Sequence, residues 1–111
     1  MTHKMKLQPA PFESIKKGSK TIEMRLYDEK RQLVKAGDII EFTNMSNGET
    51  LSAQVLALHF FPSFADLYKH FDKISLGYRE NETADPNDMA QFYTKEEQSK
   101  YGVVGIEIQK L

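Results

Sequence analysis

The chain of 111 residues contains no cysteine. That excludes a disulfide framework, a thiol nucleophile and a thiolate metal site. Its three histidines, His3, His59 and His70, do not have zinc-ligand spacing, so neither a metal nor any other cofactor is expected. An excess of either charge is also missing. Fifteen Lys plus Arg stand against sixteen Asp plus Glu, a net charge of -1, which excludes a generic polyanion-coating protein and requires any anion site to be local. No segment approaches the roughly 18 consecutive apolar residues of a membrane span. The opening MTHKMKLQPAPF has no apolar core of a secretory signal. A soluble, cytoplasmic chain with no membrane partner is expected. There is no internal repeat or low-complexity linker, and the length fits one domain over residues 1–111.

What is present is alternation broken by turn chemistry. HKMKL at 3–7 places Met5 and Leu7 on one side and predicts a short strand ended by Pro9 and Pro11. Residues 12–17 predict a short helix, with Pro11 in its first turn and Gly18 after its end. KTIEMRL at 20–26 turns Ile22, Met24 and Leu26 one way and Thr21, Glu23 and Arg25 the other, a strand with a polar face. YDEKRQLVKAGD reads as a turn or single helical turn, DIIEFTN as a third strand, and Asn47-Gly48 as a hairpin signal, since both residues tolerate positive φ. The returning strand, 50–60, is expected to run from half-exposed to fully buried. Ser63 with Asp66 caps a helix whose Phe64, Leu67, Tyr68 and Phe71 form one stripe. Phe60, Phe61, Phe64 and Phe71 are all expected in the core. Residues 72–88 form the longest irregular stretch, Asp85-Pro86 begins another short helix, Thr94 to Glu97 is a capping box, and VVGIEIQKL closes the chain as a strand with Val104, Ile106 and Ile108 on one face. Five or six strands without regular βαβ alternation predict an α+β, mostly β fold: a small, mixed or antiparallel β-barrel decorated by short helices, whose closure removes exposed edges.

Three side chains of one strand form the first candidate site. Glu23 and Arg25, about 6 to 7 Å apart on one face, are joined there by Thr21, and Lys20 can swing toward them from the strand mouth. The competing reading is a solvated edge-strand face laced by a weak surface ion pair worth about 0 to 1 kcal/mol. Seven of the fifteen cations, Lys16, Lys17, Lys20, Arg25, Lys30, Arg31 and Lys35, lie in this quarter of the sequence, which favours a pocket mouth suited to phosphate or sugar beside a base-reading site. Tyr78, Phe92, Tyr93 and Tyr101 are a second set, with Tyr78 or Tyr101 as the stacking plane for an unpaired base. Ordinary core or rim packing is the commoner role of such aromatics. The acidic residues Glu80, Glu82, Asp85 and Asp88 do not follow the calcium-loop order.

A short helix ending in Gly, K-T-I-E-x-R-L, G-D-x-I-x-F and a closing Y-G-V-V-G-I-E-I together resemble the ASCH domain family, named for homology to activating signal cointegrator 1, in its stand-alone bacterial form. The likeness runs from Met5 to Ile108. It implies a PUA-like β-barrel with a cleft for RNA or a modified nucleoside or nucleotide. Some small members of the superfamily resemble amidohydrolases that deacetylate N4-acetylcytidine and carry K-T-x-T-x-R; here Lys20, Thr21 and Arg25 match and Glu23 stands at the second Thr. The distant Glu of that pattern falls among Glu80, Glu96 and Glu97. Other members are similar to ribonucleases. The leading expectation is therefore an RNA- or nucleotide-binding protein, with Lys20, Thr21, Glu23, Arg25, Tyr78 and Tyr101 contacting the ligand. If the protein is instead a hydrolase, Lys20 and Glu23 are catalytic, as oxyanion stabiliser and general base. A protein-interaction domain using residues 76–87 is the third reading.

Overall fold

Alternating side chains lay down five strands, and prolines, caps and glycines punctuate them with short helices. The computed structural model describes residues 1–111. Strand β1, Thr2–Leu7, buries Met5 and Leu7 between exposed lysines. Helix α1, Pro9–Lys16, starts at Pro9 rather than Phe12, because Pro9 and Pro11 both fit a first turn whose N–H groups need no helical partner. It buries Phe12 and Ile15. Strand β2, Ile22–Leu26, is followed by a single 3-10 turn at Arg31–Leu33. Strands β3, Ile39–Asn44, and β4, Thr50–Phe61, form the hairpin. Its loop is longer than a two-residue Asn-Gly turn: the Asn44 amide donates to Glu49 O at 2.8 Å and the Gly48 amide to Asn44 O at 2.9 Å. Gly48 alone takes positive φ, +75°, while the Asn47 side chain accepts from the Glu49 amide.

Helix α2, Phe64–His70, is capped by Ser63, whose hydroxyl accepts from the Asp66 amide, a cap worth about 1 kcal/mol. Residues 71–85 contain no helix or strand, Pro86–Gln91 is a 3-10 helix, and α3, Lys95–Tyr101, opens on the Thr94–Glu97 capping box. Strand β5 is Val103–Lys110.

The strands form one mixed sheet in the order β1-β3-β4-β5-β2, with β1 parallel to β3 and the other pairs antiparallel. A register shift between Val55 and Ala57 bends β4 against β5. The sheet curls into a half-barrel rather than a barrel closed by a ladder. Its two edge strands, β1 and β2, are bridged by a side chain: Arg25 Nη2 donates to Lys6 O at 2.9 Å. The concave side holds Phe12, Ile15, Ile40, Phe42, Val55, Val104 and Ile106 in the larger core cluster. A second cluster on the other face joins Ile22, Met24 and Leu26 to Phe64, Leu67, Leu76 and Met89. Gly105 permits this second layer, since a Cβ there would lie 3.2 Å from Ile22 Cγ2 and 3.3 Å from Phe71 Cε2.

The burial expected along β4 is reversed. Ala53 and Val55 are its fully buried residues, whereas Phe60 is 55% exposed, edge-on to Tyr27 at 4.8 Å. Phe61 and Phe71 are half-buried, and of the four phenylalanines assigned to the core only Phe64 is sealed. Phe60 pairs with the sealed Val104 of β5, yet with Tyr27 against it edge-on it stays largely open to water, because alternation assigns a residue its side of the sheet and not the cover over it.

Candidate functional site

The short β2 has no free face. Ile22, Met24 and Leu26 pack into the second cluster, and the opposite side, which alternation assigns to solvent, carries a buried charge ladder. Glu23 is 3% exposed and Lys20 5%. Lys20 Nζ lies 3.3 Å from Glu23 Oε1, while Arg25 approaches Oε2 with Nη2 at 2.8 Å and donates from Nε at 2.9 Å. Burial alone would push the Glu23 carboxyl up; the Arg25 guanidinium and the Lys20 ammonium together outweigh it and hold Glu23 below the usual carboxylate range. Burial works against the Arg25 charge too, and Glu23 together with Tyr93 more than offsets it, so Arg25 is raised.

Local backbone explains how Lys20 becomes buried. The chain turns out of α1 with the Ser19 and Lys20 amides both donating to Ser14 O, then residues 74–78 are laid across it: the Thr21 and Ile22 amides donate to Ser75 O, and Lys20 Nζ donates to Leu76 O at 3.0 Å. Gly77, at φ +106°, is what lets this loop sit so close, because a Cβ there would stand 3.0 Å from Lys20 Cδ.

Lys20 and Glu23 line a cleft of about 860 Å³ whose walls are α1 and the irregular segment after α2. Tyr78 is on that wall, its hydroxyl donating to Asp88 Oδ2 at 2.7 Å and lying 2.9 Å from the Tyr68 hydroxyl; burial and the Asp88 contact raise the phenol well above its ordinary value. The segment is internally braced, with Lys73 Nζ donating to Glu80 O and Glu82 O.

Not all the residues expected at the site meet there. Thr21 precedes the strand and is exposed, outside the cleft lining. Arg25 holds Glu23 from the side facing β1 and does not line the cleft. Tyr101 also lies elsewhere, packed against the second core cluster with Lys100 over its ring at 5.0 Å. Tyr93 stacks on Phe64 and Phe92 is 53% exposed, neither lining the cleft. Of the three carboxylates considered as the distant Glu, Glu80 lines the cleft, and Glu96 and Glu97 belong to α3, where Glu97 accepts from the Thr94 amide.

The cation-rich mouth is not what forms. Of the seven cations between positions 16 and 35, Lys17 and Lys20 line the cleft; Lys16 turns away to Glu49 at 2.6 Å and Arg31 to Asp28 at 3.4 Å. The lining carries Glu13, Glu23, Glu80, Glu82 and Asp88 against Lys17, Lys20 and Arg79, so its balance is acidic. The sequence pointed to residues 76–87 only as a protein contact; that Leu76 and Gly77 enclose Lys20 depends on their nearness to it in the fold, which no local signal announces. No cluster of three or more His, Asp or Glu side chains is arranged to hold a metal ion, and no helix is long and apolar enough to cross a membrane.

Comparison with known proteins agrees with this architecture. Among curated proteins none matches the chain significantly. The crystal structure of the hypothetical protein PH0355 is 36% identical, with full coverage of both chains and a TM-score of 0.84. The solution structure of PF0455 from Pyrococcus furiosus is also 36% identical, covering 100% of this chain and 98% of that one, with a TM-score of 0.72. The match to a Pyrococcus furiosus protein gives no support to the bacterial origin expected from the sequence. A variant of ZmASCH from Zymomonas mobilis shares the fold at 12% identity, with a TM-score of 0.66 over 99% of this chain and 74% of that one. The ASCH domain model matches residues 5–111, and the chain belongs to the ASCH domain family.

Proposed function

We propose that this ASCH protein binds RNA or a nucleoside-like ligand by receiving a base in the cleft between α1 and the segment after α2, with Lys20 and Glu23 as its floor. One observation carries the reading. Taking a charged pair out of water costs several kcal/mol per ion before pairing offsets it, and this pair, sealed on its other sides, borders a roomy cleft. Lys20 donates and Glu23 accepts, which suits the polar edge of a neutral ring, and Tyr78 supplies an aromatic wall. The acidic lining argues that phosphate is not the principal contact.

The hydrolase reading is supported less well. Glu23 as general base at neutral pH requires a raised carboxyl, and Arg25 with Lys20 holds it low. The protein-interaction reading loses its free surface in part, since residues 76–80 are cleft wall.

Titration calorimetry with nucleosides and short single-stranded RNA tests the proposal. Saturable binding is expected, weakened about tenfold or more in Glu23→Gln with the circular dichroism spectrum unchanged, the effect of losing one charge-assisted hydrogen bond. Binding should change little with salt, because few phosphates are neutralised. No binding to any of these ligands contradicts the proposal, and turnover of an acylated cytidine abolished by Lys20→Ala replaces it with the hydrolase.

A further inference from the structure

Tyr78 walls the cleft from a stretch, residues 71–85, that contains no helix or strand, so no regular element sets the plane of its ring. Side chains do it instead. The Tyr78 hydroxyl lies 2.7 Å from Asp88 Oδ2, 3.2 Å from Asp85 O and 2.9 Å from the Tyr68 hydroxyl of α2, and the two phenol rings meet edge to face at 5.9 Å. A phenol has one proton. The carboxylate at 2.7 Å, a charge-assisted partner, takes it in preference to the carbonyl at 3.2 Å, so Tyr68 is the donor to Tyr78. The chain therefore runs one way, from Tyr68 through Tyr78 to Asp88, and neither phenol keeps a proton for a ligand. What Tyr78 offers the cleft is its ring. Asp88 is a firm anchor for that ring: the Asp85 side chain caps its 3-10 helix by accepting from the Asn87 amide at 2.9 Å, the Asp88 amide donates to Asp85 O at 2.9 Å, and the next residue, Met89, is buried in the second core cluster.

We propose that Asp88 is the positioning residue of the cleft: by holding the Tyr78 hydroxyl it fixes the plane on which a ligand ring stacks, and it acts on the ligand only through Tyr78. This role rests on the cleft being a base site. Stacking requires ring and base to lie face over face, so an aromatic wall carried by irregular backbone contributes in full only when its tilt is set before the ligand arrives. A ring without its tether must be ordered during binding, and that ordering is taken out of the affinity. The tether spans three parts of the fold, α2, the irregular segment and the 3-10 helix, so it also keeps the two walls that meet at Tyr78 in register. A residue that works through another leaves a particular mark. Removing Asp88 and removing the hydroxyl that it holds must have the same effect, and removing both must add nothing.

The test is titration calorimetry with adenosine, guanosine, cytidine and uridine on the wild type, Tyr78→Phe, Asp88→Ala, the double variant and Asp88→Asn, each shown to be folded by circular dichroism and melting. Tyr78→Phe keeps the ring and loses the tether; Asp88→Ala loses the same tether from its other end. Each should weaken binding roughly fivefold or more, the lower end of what a stacked base contributes, and the double variant should be no weaker than the weaker single. Asp88→Asn keeps an acceptor oxygen and should recover most of the affinity. Wild-type affinity in Tyr78→Phe, a double variant weakened by the product of the two single effects, or Asp88→Asn as weak as Asp88→Ala each overturns the positioning role while leaving the base site standing. If Asp88→Ala does not fold, Tyr78→Phe and Asp88→Asn decide by the same criteria. Failure of all four nucleosides and of single-stranded RNA to bind the wild type overturns both.

Discussion

Two ion-paired groups start from lysines four residues apart in the sequence and could hardly differ more in consequence. Lys16 meets Glu49 at 2.6 Å on the surface, both side chains well exposed, and Glu49 raises the Lys16 ammonium. Lys20 and Arg25 meet Glu23 with all three side chains 12% exposed or less, under residues 74–78 and beside the open edge of β1. The pairing chemistry is the same. What differs is whether water can replace a partner once it is removed, and that decides whether the pair is dispensable or structural.

The largest test of this contrast is Glu23→Ala, which strands two buried cations; it should cost about 3 to 5 kcal/mol of unfolding free energy in urea, the range for breaking a buried pair from one side. A loss below 1 kcal/mol would mean that water already reaches the ladder. Next is Gly77→Ala. The new methyl would fall 3.0 Å from Lys20 Cδ at a φ of +106°, so the loop must lift or strain, and a loss of about 1 to 3 kcal/mol is expected. Thermal melting checks it, and an unchanged midpoint would show that the loop does not press on Lys20.

Acid gives a smaller, graded effect. Glu23 is held below its ordinary range by Arg25 and Lys20 against burial, and Asp38 is lowered to about 2 by its hydrogen bonds from His3 and the Lys35 amide. A depressed folded pKa means that the unfolded chain takes up the proton first. Stability from both groups is thus fully present above the ordinary carboxylate values and is lost as pH falls through the folded ones. Urea midpoints should be flat from pH 6 to 8 and decline below about pH 4.5, where unfolded carboxyls begin to protonate. A plateau persisting to pH 2 would contradict it. Glu49→Gln, the surface control, should leave the midpoint unchanged at physiological salt, where exposed pairs are screened.

Much of the architecture was legible before any coordinates. Met5 and Leu7, the Ile22-Met24-Leu26 alternation, Ser63 with Asp66, and Thr94 with Glu97 specify their elements through contacts a few residues long, and the elements formed where these signals stood. The polar side of β2 was legible only as polar. Its burial depends on Leu76 and Gly77, more than fifty positions away, and on Lys6 across the sheet seam. The same limit explains the cations. Their crowding between positions 16 and 35 is real in sequence, yet Lys16 finds Glu49 and Arg25 finds Glu23, so the crowd disperses around the molecule instead of facing one ligand. Phe60 fails for a complementary reason, since hydrophobicity says what a residue prefers and not whether the fold covers it.

Everything proposed for this protein depends on ligand entering at the Lys20–Glu23 floor. Amide chemical-shift mapping during titration with uridine or single-stranded RNA tests it most directly. The account predicts that the largest changes fall on Lys20, Leu76, Gly77 and Tyr78; changes confined to the exposed Phe60 and Tyr27 side of the sheet, with those four amides unmoved, would contradict it.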